Sequence, residues 1–304
     1  MQPLVVSRLN KRFKKHEVIQ DLSFSLDRGL VYGFLGPNGS GKTMTIRMIA
    51  SLTSMDSGDV HIEGKSIRTE REQALRHIGA IVEDPDLYGY LTGRQNLQHF
   101  ASMYPETISD ERIEEVIRLV ELETRIDDRV KKYSLGMKQR IGIAVSILHS
   151  PTILILDEPT NGLDPKGIRQ LRHYLRKLAE EDNVTVFVSS HQLNEVEVLC
   201  DRAIVINDGK VVHELNMQNR HSGTEYTVSF EVQPKDRAIQ VLSEFGSAQE
   251  TATALDLAEC KYEDIPAIVR ALTAADVEVF AVKYQQRLEE RYFSLTETKG
   301  REPR

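Results

Sequence analysis

The 304-residue chain sets 39 Lys and Arg against 46 Asp and Glu, and its net charge of −7 with a pI near 5.8 argues against affinity built on neutralising nucleic-acid phosphates. The length suggests about two domains with core enough to fold without staples; Cys200 and Cys260 stand far apart with no Cys/His metal pattern, and read as reduced thiols of a cytosolic protein. No apolar stretch approaches the roughly 18 residues of a spanning helix and the first residues lack a signal-like apolar core, so any membrane crossing is expected to fall to another chain.

In chain order, Leu4-Val5-Val6 and Leu22-Ser23-Phe24-Ser25-Leu26 predict antiparallel strands, and the basic run Arg8, Lys11, Arg12, Lys14 and Lys15 between them reads as a solvated turn. The apolar run Leu30 to Leu35 then leads into Gly36-Pro37-Asn38-Gly39-Ser40-Gly41-Lys42-Thr43, which matches G-x-x-x-x-G-K-[ST] at every fixed position. Met44, Ile46, Met48 and Ile49 follow at helical spacing and complete a strand–loop–helix order. Glycines let such a loop aim several N–H groups at one anion, Lys42 adds charge, and the helix adds its positive end, so the segment predicts a bound nucleoside triphosphate. The expected nucleotide contacts are the eight loop residues together with Thr45.

Val60-His61-Ile62 extends the strand-rich start, and residues from about Thr92 to His149 carry helical periodicity, with Ile113, Val116, Ile117, Val120 and Leu122 on one stripe, as a helical insertion would. Ile153-Leu154-Ile155-Leu156, Val184 to Val188 and Ala203 to Ile206 read as buried parallel strands, with crossover helices marked by Leu171, Tyr174, Leu175 and Leu178 and by Leu193, Val196 and Leu199. Arg220-His221-Ser222-Gly223 reads as a linker into a small domain. There a strand at Tyr226 to Val232, a helix at Asp236 to Phe245, strands at Ala248 to Thr253 and Leu255 to Lys261, a helix at Glu263 to Ala274 and a strand at Val277 to Tyr284 give βαββαβ order, followed by a last helix at Arg287 to Leu295. The expected fold is therefore α/β, a P-loop hydrolase with a mostly parallel sheet, an N-terminal antiparallel β subdomain, a helical subdomain over about 92–149, and a ferredoxin-like C-terminal domain. Domain limits fall at 1–219 and 223–304; the second domain shows no motif of known chemistry, and a regulatory or dimer-supporting role competes with none.

Ile153 to Leu156 delivers Asp157 and Glu158 at the carboxyl end of a strand, where parallel sheets place their ligands. Asp157 and the Thr43 hydroxyl suit a magnesium ion bridging phosphates, and Glu158 is the candidate base for the attacking water, with Lys42 beside it. His191, after Ser189 and Ser190, could donate a hydrogen bond to a γ-phosphate.

In these motifs and their order the chain resembles the ATP-binding cassette family from about Leu4 to Asn216. Tyr133-Ser134-Leu135-Gly136-Met137, ahead of Lys138-Gln139-Arg140, looks like that family's L-S-G-G-Q signature, with Ser134 and Gly136 kept and Tyr133, Leu135 and Met137 departing. The resemblance implies that Ser134 and Gly136 meet a γ-phosphate held by a second copy, that Asp164 in Asn161-Gly162-Leu163-Asp164 crosses between subunits, and that Phe13 stacks on adenine, core packing being its rival. Glu83 stands where the family's magnesium-sensing glutamine is usual, which makes it a metal ligand beside Thr43 and Asp157. Also implied are the cofactors ATP and Mg2+, a homodimer, a separate transmembrane permease, no nucleic acid, and a peripheral place on the cytoplasmic face of the membrane. Tyr88, Tyr90 and Leu91 lie where a permease helix would dock, or else pack a subdomain junction. The closest branch by resemblance is the bacitracin-type exporters of drugs and peptide antibiotics; the alternatives are a soluble cassette ATPase acting on ribosomes or DNA, or a nucleotide sensor without hydrolysis, against which Glu158 argues.

Overall fold

A computed structural model describes residues 2–14, 16–83, 85–217, 225–251 and 253–286, and divides into two units, Met1–Met217 and Gln218–Arg304. In the first unit β1 (Leu4–Phe13) and β2 (His16–Leu26) pair antiparallel from Leu4↔Leu26 to Phe13↔His16. Their alternate residues Leu4, Val6, Leu22, Phe24 and Leu26 are buried, as a strand period of two requires when one face meets a core. Within the basic run Lys11 is buried 3.0 Å from Asp56, whereas Arg8, Arg12 and Lys14 are exposed, Arg12 pairing with Glu17.

After β3 (Val31–Leu35) come α1 (Lys42–Ile49), β4 (Ser57–Ile62), β5 (Lys65–Ser66), α2 (Arg71–Leu75) and β6 (Ile78–Ile81). The helical section supplies α3 (Gly93–Ala101), α4 (Asp110–Leu119), a 3-10 turn at Val130–Lys132 and α5 (Leu135–Ile147). Then follow β7 (Ile153–Leu156), α6 (Pro165–Glu180), β8 (Thr185–Ser190), α7 (Leu193–Leu199), β9 (Arg202–Asn207) and β10 (Lys210–Asn216). One sheet runs β2-β1-β4-β5 and is antiparallel along its pairings; the other runs β10-β9-β3-β8-β7-β6 and is parallel except at β10. β3, β7 and β8 are therefore neighbours whose carboxyl ends open on one edge. The core between the sheets holds Phe24, Phe34 and Phe187, whose ring centroids lie 5.2–5.7 Å apart.

Two sequence expectations shift. The apolar stripe of the helical section outlasts its helix: α4 stops at Leu119, yet Val120 and Leu122 stay buried, because the chain turns without leaving the core. β10 went unread because none of its residues is buried, so an edge strand of this kind carries no apolar signal.

The second unit holds β11 (Glu225–Gln233), α8 (Lys235–Leu242), β12 (Ala248–Glu250), β13 (Leu255–Lys261), α9 (Ile265–Ala274) and β14 (Glu278–Gln286). Its sheet order, β12-β13-β11-β14 with antiparallel pairings, is that of a ferredoxin-like unit. Tyr226, Val228, Phe230 and Val232 on β11 pack with Leu242, Ile268 and Leu272 from the helices. The predicted helix to Phe245 ends at Leu242, and the one from Glu263 begins as a 3-10 turn at Tyr262–Asp264. The linker at Arg220 to Gly223 and the last helix at Arg287 to Leu295 lie outside the described residues. Cys200 and Cys260 are buried thiols, and burial pushes both up from the ordinary thiol pKa.

Candidate active site

Strand β3 ends in the glycine loop, and Gly36 ties it to the neighbouring strand by donating its N–H to the Ser190 carbonyl at 3.3 Å. Gly41, the N-cap of α1, has φ 108°, and a Cβ there would stand 2.5 Å from Ile19 Cδ1, so both backbone and space demand glycine. Lys42 lies back along the loop, donating from Nζ to the carbonyls of Gly36 at 2.7 Å and Pro37 at 3.2 Å. Burial lowers its pKa, opposed by the charges of Glu158 and Asp157. Its ammonium is 3.9 Å from Glu158 Oε1. Ser40 Oγ is buried without a hydrogen-bond partner, while Asn38 and Gly39 are exposed and Thr43 is half-buried in the first turn of α1. An orphaned hydroxyl, a lysine and a helix start at one point suit an incoming phosphate. Thr45 does not belong to this set. It is fully buried, and its hydroxyl donates to the Gly41 carbonyl at 2.9 Å, because its place one turn along α1 faces the core.

Asp157 and Glu158 leave β7 beside β8, and one buried hydroxyl orients both. Ser189 Oγ donates to the Asp157 carboxylate and accepts the Glu158 N–H at 2.8 Å. Glu158 has φ 47° and a carboxylate steered from two sides, with Asn161 Nδ2 donating to Oε2 at 2.7 Å and His191 Nδ1 at 3.2 Å from the same oxygen. A neutral His191 that donates from Nδ1 leaves Nε2 an acceptor, so the ring donates onward to a phosphate only as imidazolium.

Glu83 is a correction. Its carboxylate pairs with Arg47 on α1 and is two-thirds exposed, so the structure places it on a guanidinium and not with Thr43 and Asp157. Among the described residues no group of three or more His, Cys, Asp or Glu could hold a metal alone. The Thr43 hydroxyl and the Asp157 carboxylate fit magnesium, which keeps several waters and takes one or two protein oxygens together with substrate phosphates.

Ser134 is the N-cap of α5, its Oγ accepting the Met137 N–H at 3.3 Å, and it remains exposed. Asp164 likewise caps α6, accepting the Gly167 N–H at 2.7 Å ahead of Pro165. The two capped starts lie side by side: a Cβ on Gly162 would stand 2.6 Å from Leu135 Cδ2, and one on Gly136 would stand 3.6 Å from Leu163 Cδ2. Phe13 is 47% exposed with Lys11 Nζ 5.4 Å from its ring centroid, which removes core packing as its role.

A second concavity of about 420 Å³ lies between β6 and the helical section, lined by Ile81, Val82, Leu87, Phe100 and Tyr104 among others. At its rim Tyr88 is pinned to α3 by Asn96, whose amide accepts the Tyr88 N–H at 2.9 Å and donates to its carbonyl at 3.1 Å. Tyr88 packs on His99 and Phe100, whereas Tyr90 is 68% exposed.

Sequence reading missed Ser189 and Asn161 as the groups that orient the two acids. Serines at the buried end of an otherwise apolar strand, Val186-Phe187-Val188-Ser189-Ser190, were the available signal.

The profile of the ABC transporter family matches residues 19–161. The uncharacterized ABC transporter ATP-binding protein YhcH of Bacillus subtilis (strain 168) is 44% identical over 97% of both chains. The bacitracin transport ATP-binding protein BcrA of Bacillus licheniformis is 39% identical over 78% of this chain and 77% of its own length. Among solved structures, the dimeric post-hydrolysis state of the ATP-binding cassette MJ0796 bound to ADP and Pi superposes with a TM-score of 0.63 at 27% identity, over 70% of this chain and 98% of that one. Identity of this extent over nearly the full length, on a fold shared with ATP-binding cassettes, makes the chain a member of the ABC transporter family, an ATP-binding subunit that hydrolyses ATP.

Proposed function

We propose that two copies of this chain close on two ATP molecules and that hydrolysis reopens the pair to drive an exporter. Each pocket is then composite: Lys42, Thr43, Asp157 and Glu158 come from one copy, and Ser134 and Gly136 from the other. Phe13 offers its exposed ring face to adenine. Loop N–H groups and Lys42 receive the phosphates, and the lysine exchanges its loop carbonyls for phosphate oxygens. Thr43 and Asp157 would hold a magnesium ion, which when bound supplies neutralising charge to phosphate oxygens. Glu158 accepts a proton from the attacking water while Asn161 and His191 keep its carboxylate aimed.

The observation that carries this reading is that steering of Glu158, since a carboxylate gripped by two polar side chains 3.9 Å from the phosphate-loop lysine is arranged for chemistry. Ser134 supports the composite pocket, being an exposed hydroxyl at a helix start. Asp164 keeps its cap and reaches across by the loop that bears it.

The groove beside Tyr88 and Tyr90 suits a helix of a separate transmembrane permease, because its lining includes Ile81, Val82, Leu87 and Phe100 and Tyr90 stands exposed beside it; no helix among the described residues is long and apolar enough to cross a membrane. The chain is then peripheral, on the cytoplasmic face. Relatives named for bacitracin transport, lantibiotic transport and linearmycin resistance support a drug or peptide-antibiotic cargo. The E158Q variant tests the reading: hydrolysis should drop by about 10²- to 10⁴-fold while ATP-bound dimers accumulate. Turnover at the parental rate would remove Glu158 from the chemistry.

A further inference from the structure

The loops after β7 and β8 are separate stretches of chain, yet between them they must hold Glu158, Asn161 and His191 in one alignment. Glu195, in the first turn of α7, stands between the two loops. Its Oε2 accepts from Thr160 Oγ1 at 2.7 Å and from Ser190 Oγ at 2.7 Å. Thr160 immediately precedes Asn161, Ser190 immediately precedes His191, and both hydroxyl-bearing residues are buried, at 3% and 2% exposure. Ser190 Oγ also accepts the Gln192 N–H at 3.0 Å, so the turn that carries His191 is tied to the same carboxylate.

We propose that Glu195 is a positioning residue of the hydrolytic site, a strut that sets the Asn161–Glu158–His191 alignment by joining the two loops that supply it. The inference rests on the reading of Glu158 as the hydrolytic carboxylate. Helix α7 does not need Glu195 to dock, because Leu193, Val196 and Leu199 already bury its apolar face. Two hydrogen bonds from buried hydroxyls to one ionised oxygen are of the strong, charge-assisted kind, and they act on the residues next to the site. Glu195 touches no substrate; it acts through Thr160 and Ser190.

Steady-state ATP hydrolysis by the full-length chain tests the strut, with nucleotide affinity and melting temperature measured on the same samples. E195A strips Thr160 Oγ1 of its acceptor, leaves Ser190 Oγ only the Gln192 carbonyl at 3.3 Å, and so unties the two loops; it should lower kcat by about 10- to 100-fold, since misplacing a reacting group by about 1 Å costs on that order, with KM for ATP nearly unchanged. E195Q retains a single oxygen able to accept both hydrogen bonds and should restore kcat to within a few-fold of the parent. T160V keeps size and branching while removing one hydroxyl; it should lower kcat with KM for ATP nearly unchanged and only a modest drop in melting temperature, and it serves where E195A fails to fold. Added to E195A, it should cause little further loss, because the two changes break one connection. Parental kcat in E195A or T160V overturns the proposal, as does E195Q no better than E195A, which would make the charge and not the bridge the essential feature. The parent reading fails separately: E158Q turning over at the parental rate removes the hydrolytic assignment whatever Glu195 does, whereas an inactive E158Q beside a fully active E195A removes the strut alone.

Discussion

Replacing Ser189 by alanine deletes one hydroxyl that serves two acids at once. The side chain is fully buried, donates to the Asp157 carboxylate and accepts the Glu158 N–H at 2.8 Å. A hydrogen bond to a charged partner contributes about 1.5–3 kcal/mol, and stranding an inward-facing N–H costs about 1–3 kcal/mol. Because the two losses share one cavity, a total of about 2–5 kcal/mol is expected, a large part of the roughly 5–15 kcal/mol that holds a typical domain folded. The lost bond also anchors Glu158 in its left-handed backbone conformation at φ 47°, so kcat should fall with stability. The chain has no tryptophan, so urea unfolding is followed by circular dichroism, and the transition of the first unit is recognised as the one that ATP moves to higher denaturant. A stability loss below about 0.5 kcal/mol with unchanged turnover would refute the reasoning, because it would mean that water replaces the hydroxyl at no cost.

F13A should weaken ATP binding by about 1–3 kcal/mol, roughly 5- to 150-fold by calorimetry, with little change in stability because its ring is half-exposed; equal affinity would contradict adenine stacking. G41A should lower both the melting temperature and ATP affinity, because the added methyl meets Ile19 Cδ1 at 2.5 Å and the backbone is left-handed; parental values for both would contradict the geometry. Burial, with Arg112 and His77 nearby, holds His149 below its ordinary pKa of 6.5, against the opposing pull of the Ile78 carbonyl and Glu106. The unfolded chain therefore takes up that proton first, and the stability contributed by neutral His149 is full above the ordinary value and lost as pH falls through the lowered one. H149Q retains a donor for the Ile78 carbonyl, 3.0 Å from Nε2, and should lose less thermal stability than the parent between about pH 7 and pH 5; equal losses would contradict the assignment.

The strand–loop–helix around Gly36 to Thr43 was legible because its signal is local: fixed residues at fixed spacing beside strong apolar periodicity. The same held for Ile153 to Leu156 with Asp157 and Glu158, and for the βαββαβ order of the second unit. Side-chain direction was not legible. Thr45 lies two residues from Thr43 in sequence but about 200° around the helix, so one faces the first turn's opening and the other the core. Glu83 sits at the motif's place, yet an opposite charge on α1, Arg47, takes its carboxylate. Ser189 and Glu195 escaped because each acts between segments that only the pairing of β8 with β7 brings together, and Asn161 because its bond to Glu158, three residues back, depends on the turn the loop takes. Ser134 and Asp164 show the reverse: each caps a helix through a contact only three residues long, and each remains exposed while doing so.

The central claim is that a pocket becomes competent only when a second copy completes it. Specific ATPase activity measured against protein concentration, with the monomer–dimer distribution followed by light scattering in the same buffer, tests it most directly. Activity per chain should climb as dimers form and should collapse in S134A at every concentration. A verified monomer that hydrolyses ATP at full, concentration-independent rate, or an S134A variant indistinguishable from the parent, would contradict the account.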